Sequence, residues 1–301
     1  MLTIKYFSVV SVVFVLMNCT HSASEPKNEA DMNVIFLHHS TGEVIWNGGV
    51  PQWIEEYNFA KSTTYRITEQ NFPKARPYGW KNYPYDYWNI WVNLAGDKPY
   101  LSDNVRKLGI MQRAKAFAKS VKDGNLFEEK GEPTLEILSK DYDLIIWKHC
   151  FPGTNIKPDT GTPKVTNETK RLENYTVQYK ALKQKMHEFP ATKFLVWTGA
   201  AQVKGQASPE EAQRAREFAN WVKNDWDEAG DNIFIWDFRQ LETEGGLYLK
   251  TEYARNKNNS HPNEAFARRV APLFGQRIVD VLEGRGDETS ILGDGTAVAE
   301  G

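Results

Sequence analysis

The chain has 301 residues, 41% of them apolar and 13% aromatic, enough to bury a full core as one long domain. With 37 basic against 39 acidic residues the formal charge is −2, which leaves no basic footprint for nucleic acid or another polyanion. Cysteines are limited to Cys19 and Cys150, so stability must come from the core and not from a disulfide framework.

Residues 1–19 hold one lysine, Lys5, then an apolar run from Tyr6 to Met17 broken only by serines, then Asn18 and Cys19. That pattern predicts a secretory signal, too short to be a stable membrane span. Its Leu16-Met-Asn-Cys19 end resembles the lipobox of bacterial lipoproteins, with Asn18 where a small residue is usual. The resemblance implies cleavage before Cys19, a lipid on its thiol, and a place in the cell envelope with the membrane touched only through that lipid. An ordinary signal peptide with a chance cysteine is the alternative. Residues 20–32 are polar and aperiodic, as a flexible tether would be, and the folded domain is expected over 33–283.

Short apolar runs follow at 34–38, 64–68, 143–148, 193–198 and 232–236, the second of them weak. Four are continuous and rich in β-branched or aromatic residues, as strands buried on both faces of a parallel sheet read. Between them lie helical patterns. Thr169–Phe189 repeats its apolar residues at three- and four-residue steps. Ser208-Pro209-Glu210-Glu211 supplies a cap, a first-turn proline and a capping-box carboxylate for a second helix. Asn263–Leu282 forms a third, which Pro272 should kink or shorten. Strands alternating with helices predict a three-layer α/β domain of flavodoxin-like type with a mostly parallel sheet. An insertion over about 72–125 carries seven aromatic residues among the fourteen of 78–91, Trp80 included, in a stretch that reads as a structured loop. Such rings either stack on sugar faces or form a local core. Asp103–Val121 reads as an exposed helix that braces the insertion, and 284–301, rich in glycine and acid, reads as a disordered tail.

In parallel sheets ligands bind at the carboxyl ends of the strands, so the residues just after each run are the candidates. The first run delivers His38, His39, Ser40 and Gly42; the third His149 and Cys150, then Asn155; the fifth Asp237; and Asn258 and His261 precede the last helix. A serine after the first strand and a histidine before the last helix are the parts an acyl-transfer site needs. Ser40 as a mere helix cap is the bland alternative. Alternation along a strand lets only one of His38 and His39 face the site, and it argues against a His149–Cys150 nucleophile pair. His39, His149, His261 and Asp237 could instead meet around zinc, although no paired metal-ligand spacing requires it.

The order of strand, Ser40 and Gly42, and later His261-Pro262 before the final helix, resembles the SGNH (GDSL-type) hydrolases. The resemblance implies a serine esterase without cofactor or metal, acting on a small acyl group, acetyl foremost, of a carbohydrate or another small ester, as a monomer. Ser40 would attack, His261 would serve as base and then acid, and Asn258 or Asp237 would orient it. The oxyanion would rest on the Ser40 amide and Asn155, with Gly42, His39, His149 and Trp80 lining the substrate. This chain departs from the family where His38-His39 precede the serine in place of Gly-Asp, where Asn258 replaces an aspartate, and where only Gly79 offers itself as the glycine of the second block. The amide in place of the carboxylate keeps a non-catalytic glycan-binding protein as the alternative, with a metal-dependent hydrolase behind it.

Overall fold

The computed structural model describes residues 31–73, 82–100 and 131–298. Cys19 and the signal segment, Gly79 and Trp80, and the helix expected over 103–121 lie outside the described residues.

Five strands, β1 (Asp31–His38), β2 (Thr64–Asn71), β3 (Leu144–Trp147), β4 (Lys193–Trp197) and β5 (Ile233–Trp236), form one parallel sheet in the order β2-β1-β3-β4-β5. The chain is a three-layer α/β domain. On β1, Ile35 and Leu37 point into one core with Ile145, Trp147, Phe194 and Val196, while Val34 and Phe36 enter the other with Leu144, Ile146, Leu195 and Trp197. That period-two split is why the runs are apolar at every position.

The first core is covered by α3 (Pro84–Trp88), α4 (Leu135–Asp141), α5 (Leu172–His187) and α6 (Pro209–Trp221). The second lies under α1 (Ser40–Trp46), α2 (Val50–Lys61), α7 (Phe238–Thr243) and α8 (Glu264–Leu282). Ser208 caps α6 with its hydroxyl on the Glu211 amide at 3.1 Å, and Glu211 returns a bond to the Ser208 amide, the reciprocal box the sequence announced. Helix α8 runs through Pro272 without ending there. The aromatic stretch differs from the expected loop, because residues 84–88 are helical and continue into a π-turn at Asn89–Asn93. Tyr83, Tyr87, Trp88 and Trp91 are buried there, Trp91 edge-on to Trp147 with ring centres 5.6 Å apart. Their faces are spent on the core, which withdraws the sugar-stacking reading for these four.

The tail also differs from the disordered segment expected beyond residue 283. Arg277 of α8, only 1% exposed, donates from Nη1 to the Gly286 carbonyl at 2.7 Å and from Nε to the Ile235 carbonyl at 2.8 Å. Trp236 Nε1 donates to the Leu292 carbonyl at 3.0 Å, and the Asp237 amide to that of Ile291 at 2.9 Å. Composition reads glycine and acid as disorder, but here the backbone carbonyls of that stretch are the partners a buried guanidinium requires.

A second, two-stranded sheet pairs β6 (Ala254–Asn256) with β7 (Asn259–Pro262), antiparallel, just before α8. Ala254 pairs with Pro262 and Asn256 with Asn259, so Arg255 alone faces Ser260 and His261 together. This β-bulge turns the strand that carries His261.

Candidate active site

Strand β1 ends at His38 and α1 begins at Ser40, with His39 as the residue between them. His39, not Ser40, occupies the cap position, and its side chain makes no capping bond. The cap reading of Ser40 therefore gives way: its hydroxyl is hydrogen-bonded to His261, with Oγ 2.8 Å from Nε2. Gly42 lets the helix lie close on the strand, since a Cβ there would come within 2.4 Å of the His38 Cβ. Its role is this approach and not substrate contact.

His261 is held from behind by Asn259. The Asn259 Oδ1 accepts from the His261 Nδ1 at 2.7 Å and from the His261 amide at 3.0 Å. An amide oxygen can only accept, so Nδ1 carries the proton and Nε2 presents its lone pair to the Ser40 hydroxyl. Phe151 stands edge-on to the imidazole, ring centres 5.0 Å apart. Burial lowers the His261 pKa below its ordinary 6.5, and the cations of Arg255 and Lys148 lower it further, so the ring is neutral at neutral pH. Ser40 and His261, both half-buried, open on a groove of about 400 Å³ whose wall includes Glu43, Arg255, Glu264 and Arg268.

The other expected positions fall elsewhere. Asn258 does not orient His261; its carbonyl accepts from Gln206 and its amide donates to Asn256 Oδ1. Residues two apart on a strand share a face, and that period points from His261 to Asn259; the three-residue family spacing led one position too far. Asp237 does not reach the base either. Its carboxylate binds Lys223 Nζ at 2.6 Å and the Thr198 hydroxyl at 2.8 Å, and it caps α7 through the Gln240 amide at 3.2 Å. Asn155 is tied by Gln202, whose Nε2 donates to its Oδ1 at 2.7 Å, and its own Nδ2 faces the Gln206 carbonyl at 3.4 Å. That leaves no geometry by which the oxyanion role can be assigned to it.

The hydrogen bonds of the His38 and His39 rings go to groups other than the Ser40 hydroxyl. His39 is buried, bonded through Nε2 to the Pro73 carbonyl, and pushed down to about 4 mainly by burial. His38 places Nδ1 3.1 Å from the His39 carbonyl and Nε2 2.5 Å from a Glu69 carboxyl oxygen. Burial pushes His38 down to about 3 and pushes Glu69 up. A carbonyl can only accept, so His38 Nδ1–H donates to the His39 carbonyl, while Nε2 faces the Glu69 carboxyl group. His149 is fully buried, paired with the Tyr179 hydroxyl at 3.0 Å and pushed down to about 3, mainly by burial. A Cβ at position 199 would meet its ring at 2.9 Å, so it is a packed core residue without room for substrate. Buried Cys150 accepts from Lys148 Nζ at 3.1 Å.

Among the described residues no three His, Cys, Asp or Glu side chains come together as a metal cradle, so the zinc arrangement of His39, His149, His261 and Asp237 does not form. The residues that sequence reasoning missed are Asn259, Phe151, Arg255 and Glu43.

No family model matches the chain, and no curated protein matches it. Among solved structures, it is similar to an acetyl xylan esterase at 15% identity and a TM-score of 0.42, over 79% of this chain and 95% of the other. It is also similar to a gut microbial diltiazem-metabolizing enzyme at 11% identity and a TM-score of 0.43, over 88% of this chain and 49% of that one.

Proposed function

We propose that the protein is a serine esterase of SGNH type that removes an acetyl or other small acyl group from a carbohydrate. The observation that carries this reading is the 2.8 Å bond between Ser40 Oγ and His261 Nε2, made by residues 221 positions apart and backed by Asn259. In this mechanism Ser40 Oγ attacks the ester carbonyl as its proton passes to Nε2. The resulting oxyanion rests on the Ser40 amide at the start of α1. His261 returns the proton to the departing sugar alkoxide, leaving an acyl-serine. Water then attacks the acyl group, gives its proton to Nε2, and the acid leaves with the Ser40 proton restored.

Asn259 fixes the imidazole tautomer but supplies no negative charge to the imidazolium, so this site works with orientation where a carboxylate would add electrostatic stabilisation. The N-terminal segment fits export and anchoring through Cys19, which would put the substrate in the cell envelope. The test is acetate release from 4-nitrophenyl acetate and acetylated xylan by the chain lacking residues 1–19, beside Ser40→Ala and His261→Ala. Wild type should turn over, and both variants, folded by circular dichroism, should lose at least a thousandfold in kcat/KM. Wild-type rates no higher than those of the variants would sink the esterase and leave glycan binding to be tested.

A further inference from the structure

The charges around the Ser40–His261 groove are unevenly matched. Arg268 on its wall faces Glu264 one helical turn away, Nη1 to Oε2 3.4 Å, and the two largely cancel. Arg255 has no such partner among the described residues: it is exposed and enters no hydrogen bond or ion pair there. The bulge sets it directly across from Ser260 and His261, on the hairpin that supplies the base. Glu43, one turn after Ser40, lies on the helix that supplies the nucleophile. The groove is therefore dipolar, cationic beside the base and anionic along α1.

We propose that Arg255 receives a carboxylate on the substrate, so that the preferred ester is carried by an acidic sugar such as a uronic acid unit. This rests on the esterase reading of the same groove. A planar guanidinium matches a carboxylate in two parallel hydrogen bonds, which fixes both the position and the rotation of the sugar. Glu43, on the helix that begins at Ser40, repels the same group, which disfavours the orientation that turns the carboxylate toward that helix. Arg255 also adds to the positive field at His261, which an incoming carboxylate would offset. Arg255 is in this sense a specificity residue, and its effect should fall on the choice between substrates.

The experiment compares a monoacetylated methyl glucuronoside with the matching monoacetylated methyl glucoside, each assayed for kcat/KM with wild type, Arg255→Gln and Arg255→Lys. Wild type should favour the acidic sugar by about five- to tenfold, a modest factor because Arg255 is exposed, and the preference should shrink between 50 and 500 mM salt. Arg255→Gln should bring the ratio close to one, and Arg255→Lys should retain part of it. A wild-type ratio near one, or a ratio unchanged in Arg255→Gln, overturns the proposal. Turnover of 4-nitrophenyl acetate that is absent, or that survives Ser40→Ala, would instead overturn the esterase. Titration of methyl glucuronoside against methyl glucoside by NMR, in wild type and Arg255→Gln, then still decides whether Arg255 binds the acid.

Discussion

Replacing Asn259 by Asp converts the residue behind the base from an orienting amide into a counter-charge, with almost no change in shape. The Nδ1 to Oδ1 distance of 2.7 Å puts the two charge centres roughly 5 Å apart, which at an effective dielectric of 20–40 is worth about 2–3 kcal/mol. Asn259 and His261 are both half-exposed, so solvent screening reduces this to about 1–2 kcal/mol. Two consequences follow from one number. The imidazolium formed during attack is stabilised, which should raise kcat/KM about tenfold where the base is neutral. The same stabilisation raises the His261 pKa by about one unit, since each unit corresponds to 1.36 kcal/mol. In the wild type the pKa lies below 6.5, so activity should rise with pH along a limb below 6.5 and then level. In Asn259→Asp the midpoint of that limb should move to higher pH by about one unit while the plateau rises about tenfold, so the two profiles converge at low pH and part as pH rises. The assay is the pH dependence of 4-nitrophenyl acetate hydrolysis from pH 4.5 to 9. A folded variant whose profile keeps the wild-type midpoint, or whose plateau does not rise, would refute the assignment of Asn259 as the group behind the base.

Ending the chain after Glu283 removes the Gly286 and Thr289 acceptors from buried Arg277 and the Leu292 acceptor from Trp236. A buried cation left short of partners costs about 3–5 kcal/mol, and the thermal midpoint should fall by roughly 10 °C; a fall of under 2 °C would return the tail to a dispensable segment. Acid should destabilise the fold through its buried histidines. His149 is pushed down to about 3 and His39 to about 4, both mainly by burial and both from 6.5. Their contribution is complete above pH 6.5 and is lost as pH falls toward those values, because the unfolded chain then binds protons the native state refuses. On the order of 4 kcal/mol is at stake at His149 alone, and urea midpoints that stay level from pH 7 down to pH 4 would contradict it.

Four of the five strands and the helices α5, α6 and α8 were legible because each rests on a local rule: continuous β-branched runs, a three-to-four step, a capping box. Ser40 stood out because strand ends in parallel sheets are where side chains converge, and His261 because it precedes the last helix; the structure brings the two side chains together. What failed needed information that a local reading does not hold. Asp237 looked free at the end of β5, but Lys223 reaches it from the π-turn at Val222–Trp226, whose extra residue per turn shifts the helix face. His149 looked like a ligand because it follows a strand, and only the packing of Tyr179 and position 199 around it shows a core residue. Arg255 carries no motif at all; its place depends on a bulge, which is set by the pairing of two short strands.

Ser40 and His261 belong to parts of the molecule with different resistance to opening. Ser40 follows a strand inside a five-stranded sheet, whereas His261 rides on a two-stranded hairpin, a unit of marginal stability by itself. The hairpin is fastened to the body by Ser260, whose hydroxyl accepts from the Val203 amide at 3.1 Å and donates to Gln206, and by the Asn258 carbonyl, which accepts from the same Gln206. A local opening that releases these bonds separates His261 from Ser40 without disturbing Trp147, Trp197 or Trp236 in the core. On the proposed function, loss of activity and unfolding are then distinct events with distinct free energies, and the first is governed by the hold on the hairpin, not by the sheet beneath it.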